Sequence, residues 1–218
     1  MGLFITFEGP DGSGKTTQIK LLADYLREMG HDVLLTREPG GTPIGDQIRD
    51  VLHDTKNVEM TSVSEFLLYS ASRAQLVRQV IKPHLARGGT VMSDRFADSS
   101  MAYQGYGRQL DLDTIGSTTQ FATDGLTPHL TIYLDLPVDV GIRRKQTAHA
   151  AQSGELNRLD RQTIDFHHRV RDGYLKMAQA EPHRWMVIDA MQTIDDTQRA
   201  IRERLETVLP EVRKATIR

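Results

Sequence analysis

The chain has 218 residues, with 27 Lys and Arg against 29 Asp and Glu, for a formal net charge of -2. A balance that close excludes nucleic-acid binding by bulk positive charge, and the absence of cysteine excludes disulfides, thiolate metal sites and a cysteine nucleophile. No apolar run approaches the roughly 18 residues of a membrane helix, and Met1–Ile5 lacks the basic start of a signal peptide. The expectation is one domain over residues 1–218, in the cytoplasm.

The elements follow a repeating order of short apolar run, turn and amphipathic helix. Leu3–Glu8 reads as a buried strand. A helix is expected over Lys15–Met29, with Ile19, Leu22, Ala23 and Leu26 on one face and Gly30 as its stop. Val33–Thr36 is a second strand, and Pro43–His53 a short helix after Gly40-Gly41-Thr42. Ser64–Arg87 reads as helix, with Pro83 breaking or ending its last turn. Thr90–Asp94 is a strand, Leu112–Asp124 a helix capped by Asp111 or Asp113, and Leu130–Asp135 a strand. Pro137 starts a helix running to about Lys145. The small and polar residues of Gln146–Leu156 are expected to form a mobile surface segment, within a lid over about 144–158. A helix over Asp160–Ala180, a strand over Trp185–Ile188 and a helix over Thr193–Val208 complete the pattern, with a polar tail over about 209–218.

Strands alternating with helices predict an α/β fold: a mostly parallel five-stranded sheet with helices on both faces, three layers in all. Ligands of such sheets bind at the carboxyl ends of the strands. That brings the loops after Glu8, Thr36, Asp94 and Asp135 to one rim.

The first of these loops, Gly9-Pro10-Asp11-Gly12-Ser13-Gly14-Lys15-Thr16, fits the phosphate-loop pattern G-x-x-x-x-G-K-[ST] in full, between a strand and a helix. Its glycines let backbone N–H groups turn inward around phosphate oxygens, and the helix N-terminus adds partial positive charge. Lys15 is placed to reach the β- and γ-phosphates, Thr16 to offer a hydroxyl to Mg²⁺, and Thr17 to complete the ATP-binding segment. The dinucleotide fingerprint fails, because its third glycine position is Thr17. Asp94 and Asp135 each end a strand, so both are candidates for the acid that holds Mg²⁺ through water. Arg95, where many ATPases carry a second carboxylate, points away from simple hydrolysis.

Arg37 and Arg95 sit at strand ends on the phosphate rim, where a second phosphate would need positive charge. Arg143, Arg144, Lys145 and Arg158 flank the lid, which is suited to closing over a nucleotide and excluding water. His167-His168 has no matching ligand set and reads as a surface or packing pair, and the eight histidines show no H-E-x-x-H spacing.

Five segments in order carry a resemblance to a known family: Phe7–Thr16, Thr36-Arg37-Glu38-Pro39-Gly40-Gly41-Thr42, Ala71-Ser72-Arg73-Ala74-Gln75, Asp94-Arg95-Phe96 with Ser99–Gly105, and Asn157–Asp160 leading into Asp165-Phe166-His167. From about residue 3 to 207 the sequence resembles the thymidylate kinases of bacterial type. The resemblance implies a phosphate-loop kinase fold with a mobile lid, transfer of the γ-phosphoryl of ATP to dTMP with Mg²⁺, small nucleotides as its partners, and a homodimer. It implies that Arg37 and Arg95 grip the dTMP phosphate and that Asp11 helps position the acceptor near its 3′-hydroxyl. It implies, with Glu38 beside them, that Tyr69 stacks on thymine and that Arg73 and Gln104 hydrogen-bond its edge. Ser100 would lie near the base, and Tyr103 would crowd the 2′ position. Arg73 follows Tyr69 by four residues, hence on the same helix face. With Gly12 in the phosphate loop, the resemblance assigns the catalytic arginine to the lid. The stretch Gln146–Leu156 holds no arginine, which leaves Arg158 first and Arg144 next. Another deoxynucleotide or deoxynucleoside kinase, or a non-catalytic nucleotide-binding protein, is the alternative.

Overall fold

The computed structural model describes residues 2–151, 159 and 162–216, with the backbone alone for 148, 149 and 210–216. Five strands form one sheet in the order β2-β3-β1-β4-β5: β1 Leu3–Glu8, β2 Val33–Arg37, β3 Thr90–Asp94, β4 Leu130–Asp135 and β5 Trp185–Asp189. Every pairing is parallel, and β1 is registered between β3 and β4 (Ile5 opposite Met92 and Leu130). The two-residue period of a strand sorts β1 into faces. Leu3, Ile5 and Phe7 pack with Ile19, Leu22, Ala23 and Leu26 of α1 (Lys15–Glu28) and with Ile201 and Leu205 of α9 (Ile194–Thr216). Phe4 faces the other way, against Leu76, Val77, Ile81 and Phe96. Each such fully buried side chain contributes about 2 kcal/mol, so two apolar layers hold the centre. Glu8 shares a face with Phe4 and is equally enclosed.

Helix α2 (Pro43–His53) starts as its sequence predicts, with Pro43 in the first turn and the Thr42 hydroxyl accepting the Gly45 N–H at 2.9 Å. The single helix expected over Ser64–Arg87 is instead α3 (Ser62–Leu76), a π-helical turn (Val77–Ile81) and α4 (Lys82–Ala86). Pro83 offers no N–H and its ring crowds the carbonyl four residues back. The wider turn just before it absorbs both effects without ending the helix. A second π-helical stretch, Met101–Gly107, follows the four-residue α5 (Ala97–Ser100). Sequence periodicity of 3.6 gave no sign of it. Asp111 caps α6 (Leu112–Thr123), accepting the Thr114 N–H at 2.8 Å.

Helix α7 (Val138–Ala150) runs past the expected end at Lys145, so the first part of the segment read as mobile, 146–150, is helical. Alanine and glutamine there are good helix formers. Helix α8 (Ile164–Ala180) begins four residues later than expected, at the Thr163 cap. Helix α9, expected to end at Val208, continues through most of the polar tail, to Thr216.

Candidate active site

The carboxyl ends of β1, β2, β3 and β4 open into one cavity of about 890 Å³, a size suited to a small-molecule ligand. Its walls include Pro10, Asp11 and Thr16 of the phosphate loop, Arg37 and Glu38 after β2, and Asp94 and Arg95 after β3. Tyr69 of α3, with Ser100, Tyr103 and Gln104 of the α5 and π-helical stretch, completes the far end. The four loops read as one rim therefore do meet.

The phosphate loop needs its glycines for room as well as for backbone angle. At Gly9 (φ 137°) an added Cβ would stand 2.6 Å from the Leu134 carbonyl oxygen. The Lys15 ammonium is buried and donates to the carbonyls of Gly9 and Pro10, both at 3.0 Å. Burial first, and then Arg95, lowers its pKa, against Asp94, Asp11 and Glu8, which raise it.

Arg95 stands in the left-handed region at φ 71°, which costs a non-glycine residue about 1 kcal/mol or more. Three bonds hold it there. Its N–H donates to Phe7 O at 2.9 Å, the Ser93 hydroxyl donates to its carbonyl at 2.7 Å, and the next N–H, of Phe96, donates to the Glu8 carboxylate at 2.8 Å. The guanidinium is thereby aimed at Asp11 (Nη2–Oδ1 2.9 Å), with the Tyr103 ring 5.3 Å away. Asp11 also meets Lys145 of α7 at 2.6 Å and Lys15 at 3.9 Å. Burial opposes ionisation of Asp11, but Arg95, Lys15 and Lys145 together outweigh it and hold the carboxyl well below the usual range.

Arg73 does not line the cavity. It is buried beneath it, donating from Nε and Nη2 to Glu38 (2.9 and 2.8 Å) and from Nη2 to the Phe96 carbonyl at 3.2 Å. Glu38, which does line the cavity, is pushed up by burial and pulled down by Arg73, with a net rise. Gln104 donates to Glu65 at 2.8 Å, and Arg108 grips the other Glu65 oxygen at 2.9 Å, so the carboxamide orientation is fixed from behind. Among the described residues, Nη1 of Arg73, Nη1 of Arg95, Oε1 of Glu38 and Oγ of Ser100 are buried without a hydrogen-bond partner. Orphaned polar atoms of this kind gathered around one cavity suit a polar ligand.

Sequence reading missed several residues that share this space. Arg49 and His53 stand four apart on α2 and both line the cavity, Arg49 donating to Pro39 O at 3.0 Å. Their i,i+4 spacing after the Arg37–Thr42 turn was the available signal. Burial, followed by Arg49, lowers the His53 pKa to about 4. His167, read as a surface or packing residue, lines the cavity from α8. Asp135 is held in a bidentate pair by Arg171 (2.7 and 2.8 Å), which leaves Asp94 the better placed of the two acids beside Thr16. Arg144 lies on the outer side of the phosphate loop, donating to Gly12 O at 3.1 Å. Arg158 lies outside the described residues.

Thr16 and Asp94 offer a hydroxyl and one carboxylate to the cavity, and the described residues contain no cluster of three His, Cys, Asp or Glu. That donor set fits Mg²⁺, which keeps several waters and takes its remaining oxygens from phosphates.

A phosphate loop at the end of the central parallel strand, opening into a cavity with a second set of anion-complementary side chains, defines a phosphate-loop kinase fold. The thymidylate kinase family model matches residues 7–201. The chain is 52% identical over 202 residues to the thymidylate kinase of Geotalea uraniireducens, covering 92% of this chain and 95% of that one. It is also 52% identical over 200 residues to that of Deinococcus radiodurans, covering 92% and 94%. The crystal structure of thymidylate kinase from Ehrlichia chaffeensis superposes with a TM-score of 0.75 at 36% identity, covering 94% of this chain and 98% of that one. The chain belongs to the thymidylate kinase family.

Proposed function

We propose that this chain transfers the γ-phosphoryl group of ATP to dTMP, giving dTDP and ADP, a step toward dTTP. The observation that carries the reading is the Asp11 junction, where the phosphate-loop Lys15 and the acceptor-side Arg95 meet one carboxylate at 3.9 and 2.9 Å. A donor phosphate in the loop and an acceptor phosphate at Arg95 would then lie end to end.

In this reading the backbone of Gly9–Thr17, including Ser13 and Gly14, cradles the ATP phosphates, and Lys15 meets the β- and γ-phosphates. Thr16 and Asp94 hold Mg²⁺, which neutralises charge on the phosphate oxygens when bound. Arg37, Arg49 and Arg95 receive the dTMP phosphate. Tyr69 supplies a flat face for thymine, Gln104 donates to the base edge, Arg73 holds the floor of that site from beneath through Glu38, Ser100 lies near the base, and Glu38 and Tyr103 bound the sugar. An oxygen of the acceptor phosphate bonds to the γ-phosphorus as the bond to the β,γ-bridging oxygen breaks, and ADP leaves with that electron pair. Arg158 or Arg144 is the arginine that the family resemblance assigns to the transfer. Substrates that are soluble metabolites, and the absence among the described residues of a helix long and apolar enough to cross a membrane, support a cytoplasmic enzyme.

The test is ADP formation from ATP and Mg²⁺ with dTMP, dUMP, dCMP, thymidine, UMP or no acceptor. Fast turnover with dTMP, weak with dUMP and none with thymidine is expected. ADP formation without acceptor would overturn the reading.

A homodimer is part of this proposal. Helices α3 and α6, which pack on each other, leave Val63, Leu67 and Phe121 at 55%, 52% and 79% exposure, more apolar surface than a lone helix pair usually shows to water. Analytical ultracentrifugation is expected to show a dimer that Leu67→Lys dissociates.

A further inference from the structure

We propose that Lys145 is the lid-side cation of the transfer, a catalytic residue that meets the γ-phosphoryl group in the place that the family resemblance gives to an arginine. The proposal rests on the dTMP kinase reading above.

Three consecutive residues of α7 are cationic, and a helix turns about 100° per residue, so they cannot share a direction. Arg143 is exposed and pairs with Asp139 at 2.8 Å. Arg144 turns behind the phosphate loop, onto the carbonyls of Gly12 and Ala190 at 3.1 and 3.5 Å. Lys145 alone of the three enters the cavity, where its ammonium lies 2.6 Å from Asp11 Oδ2. Its side chain is 18% exposed, so its charge works under reduced screening. Arg171 also borders the cavity, but Asp135 holds its fork in a bidentate pair.

The geometry at Asp11 gives the role. One carboxylate gathers a cation from the donor loop (Lys15), one from the acceptor side (Arg95) and one from the lid helix (Lys145). The transferring group must pass between the first two, and its equatorial oxygens carry the charge that needs neutralising at that point. The third cation faces the same space from α7. Lys145 stays protonated throughout and donates a hydrogen bond to a γ-phosphoryl oxygen. No proton changes hands.

Steady-state and single-turnover rates with ATP, Mg²⁺ and dTMP decide it, in the unsubstituted chain, Lys145→Ala, Lys145→Arg and Arg143→Ala. Lys145→Ala is expected to lower kcat by about 10²–10³, the usual loss of one transition-state donor, with KM for dTMP within about threefold. Lys145→Arg should recover at least about a tenth of the parent rate, since it keeps the charge, and Arg143→Ala should match the parent. A kcat for Lys145→Ala within about threefold of the parent overturns the proposal. So does a rise in KM that accounts for the whole loss, or an equal loss in Lys145→Arg with the thermal midpoint unchanged. If the unsubstituted chain itself makes no dTDP, the kinase reading falls and takes this inference with it. A fully active parent with an indifferent Lys145→Ala removes the inference alone.

Discussion

Glu8, at the end of β1, accepts the backbone N–H of Phe96 at 2.8 Å, joining the strand that leads into the phosphate loop to the turn that carries Arg95. Its other oxygen accepts the hydroxyls of Ser99 and Tyr174 at 2.6 and 2.7 Å. A wholly buried carboxylate is thus the fixed point between the phosphate loop, the turn of Arg95 and α8.

That enclosure has a pH signature. Burial raises the Glu8 pKa from 4.5 to about 7, with Arg95 and the two hydroxyls lowering it and Asp98 raising it. Between 4.5 and 7 the native chain therefore holds a proton that the unfolded chain has released. Glu8 subtracts stability as pH rises through that window, by on the order of 3 kcal/mol in full, and subtracts nothing below it. Denaturant titrations from pH 4.5 to 7.5 should show this slope in the parent and lose it in Glu8→Gln. Glu8→Ala should cost about 3 kcal/mol or more at pH 5, since it takes away the acceptor shared by the Phe96 N–H and the Ser99 and Tyr174 hydroxyls, and only one of the two hydroxyls can turn to the other.

Lys15→Ala and Arg95→Ala should each cut turnover by two or more orders of magnitude, with far-ultraviolet circular dichroism unchanged. Lys15 meets only atoms of the phosphate loop itself, the Gly9 and Pro10 carbonyls and the Asp11 carboxylate, and Arg95 is held in place by main-chain bonds that alanine keeps. Near-normal rates in both would show that the Asp11 junction is not where phosphate moves.

For Arg73 the tertiary structure adds a cost to the expected loss of dTMP affinity. Arg73→Ala leaves the Glu38 carboxylate buried without its cation. Breaking such a pair from one side costs about 3–5 kcal/mol, an upper figure here because Glu38 can take up a proton instead. Calorimetry should show a thermal midpoint lowered by several degrees, with ATP affinity retained. Arg73→Leu with Glu38→Leu should restore much of the midpoint and none of the dTMP binding.

His53, with a pKa lowered to about 4 against an ordinary 6.5, is neutral at pH 7. Stability tied to the neutral ring is present above 6.5 and lost as pH falls toward 4, opposite in sign to Glu8. An imidazole titration by NMR should place its midpoint near 4 in the free protein. Burial is the main cause of the lowering and Arg49 the next, so the midpoint should move part of the way upward with dTMP bound, as a phosphate dianion beside Arg49 offsets that arginine's repulsion.

Local signals in the sequence determined most of the frame. Short apolar runs punctuated by Gly and Pro located all five strands, and the clearest were β1, β3 and β4, because a strand buried on both faces has little freedom in composition. The phosphate loop was legible for the same reason: glycine, lysine and hydroxyl at fixed offsets are a purely local geometry. Thr42, Asp111 and Pro43 marked helix starts through bonds spanning three residues. What stayed hidden depends on contacts between distant elements. The π-helical turns at Val77–Ile81 and Met101–Gly107 have no period of their own. Nothing local distinguishes Lys145 from Arg144 before α7 is set against the phosphate loop. Arg73 was expected on the wall beside Tyr69 and lies beneath it, because a buried arginine goes where its carboxylate is, and Glu38 stands thirty-five residues away in sequence. The chain by itself set which charged and hydroxyl side chains stand in the loops at the carboxyl ends of the strands. Only the packing of α2, α7 and α8 over the sheet decided which charges face one another, since long-range electrostatics act through distances that sequence order does not encode.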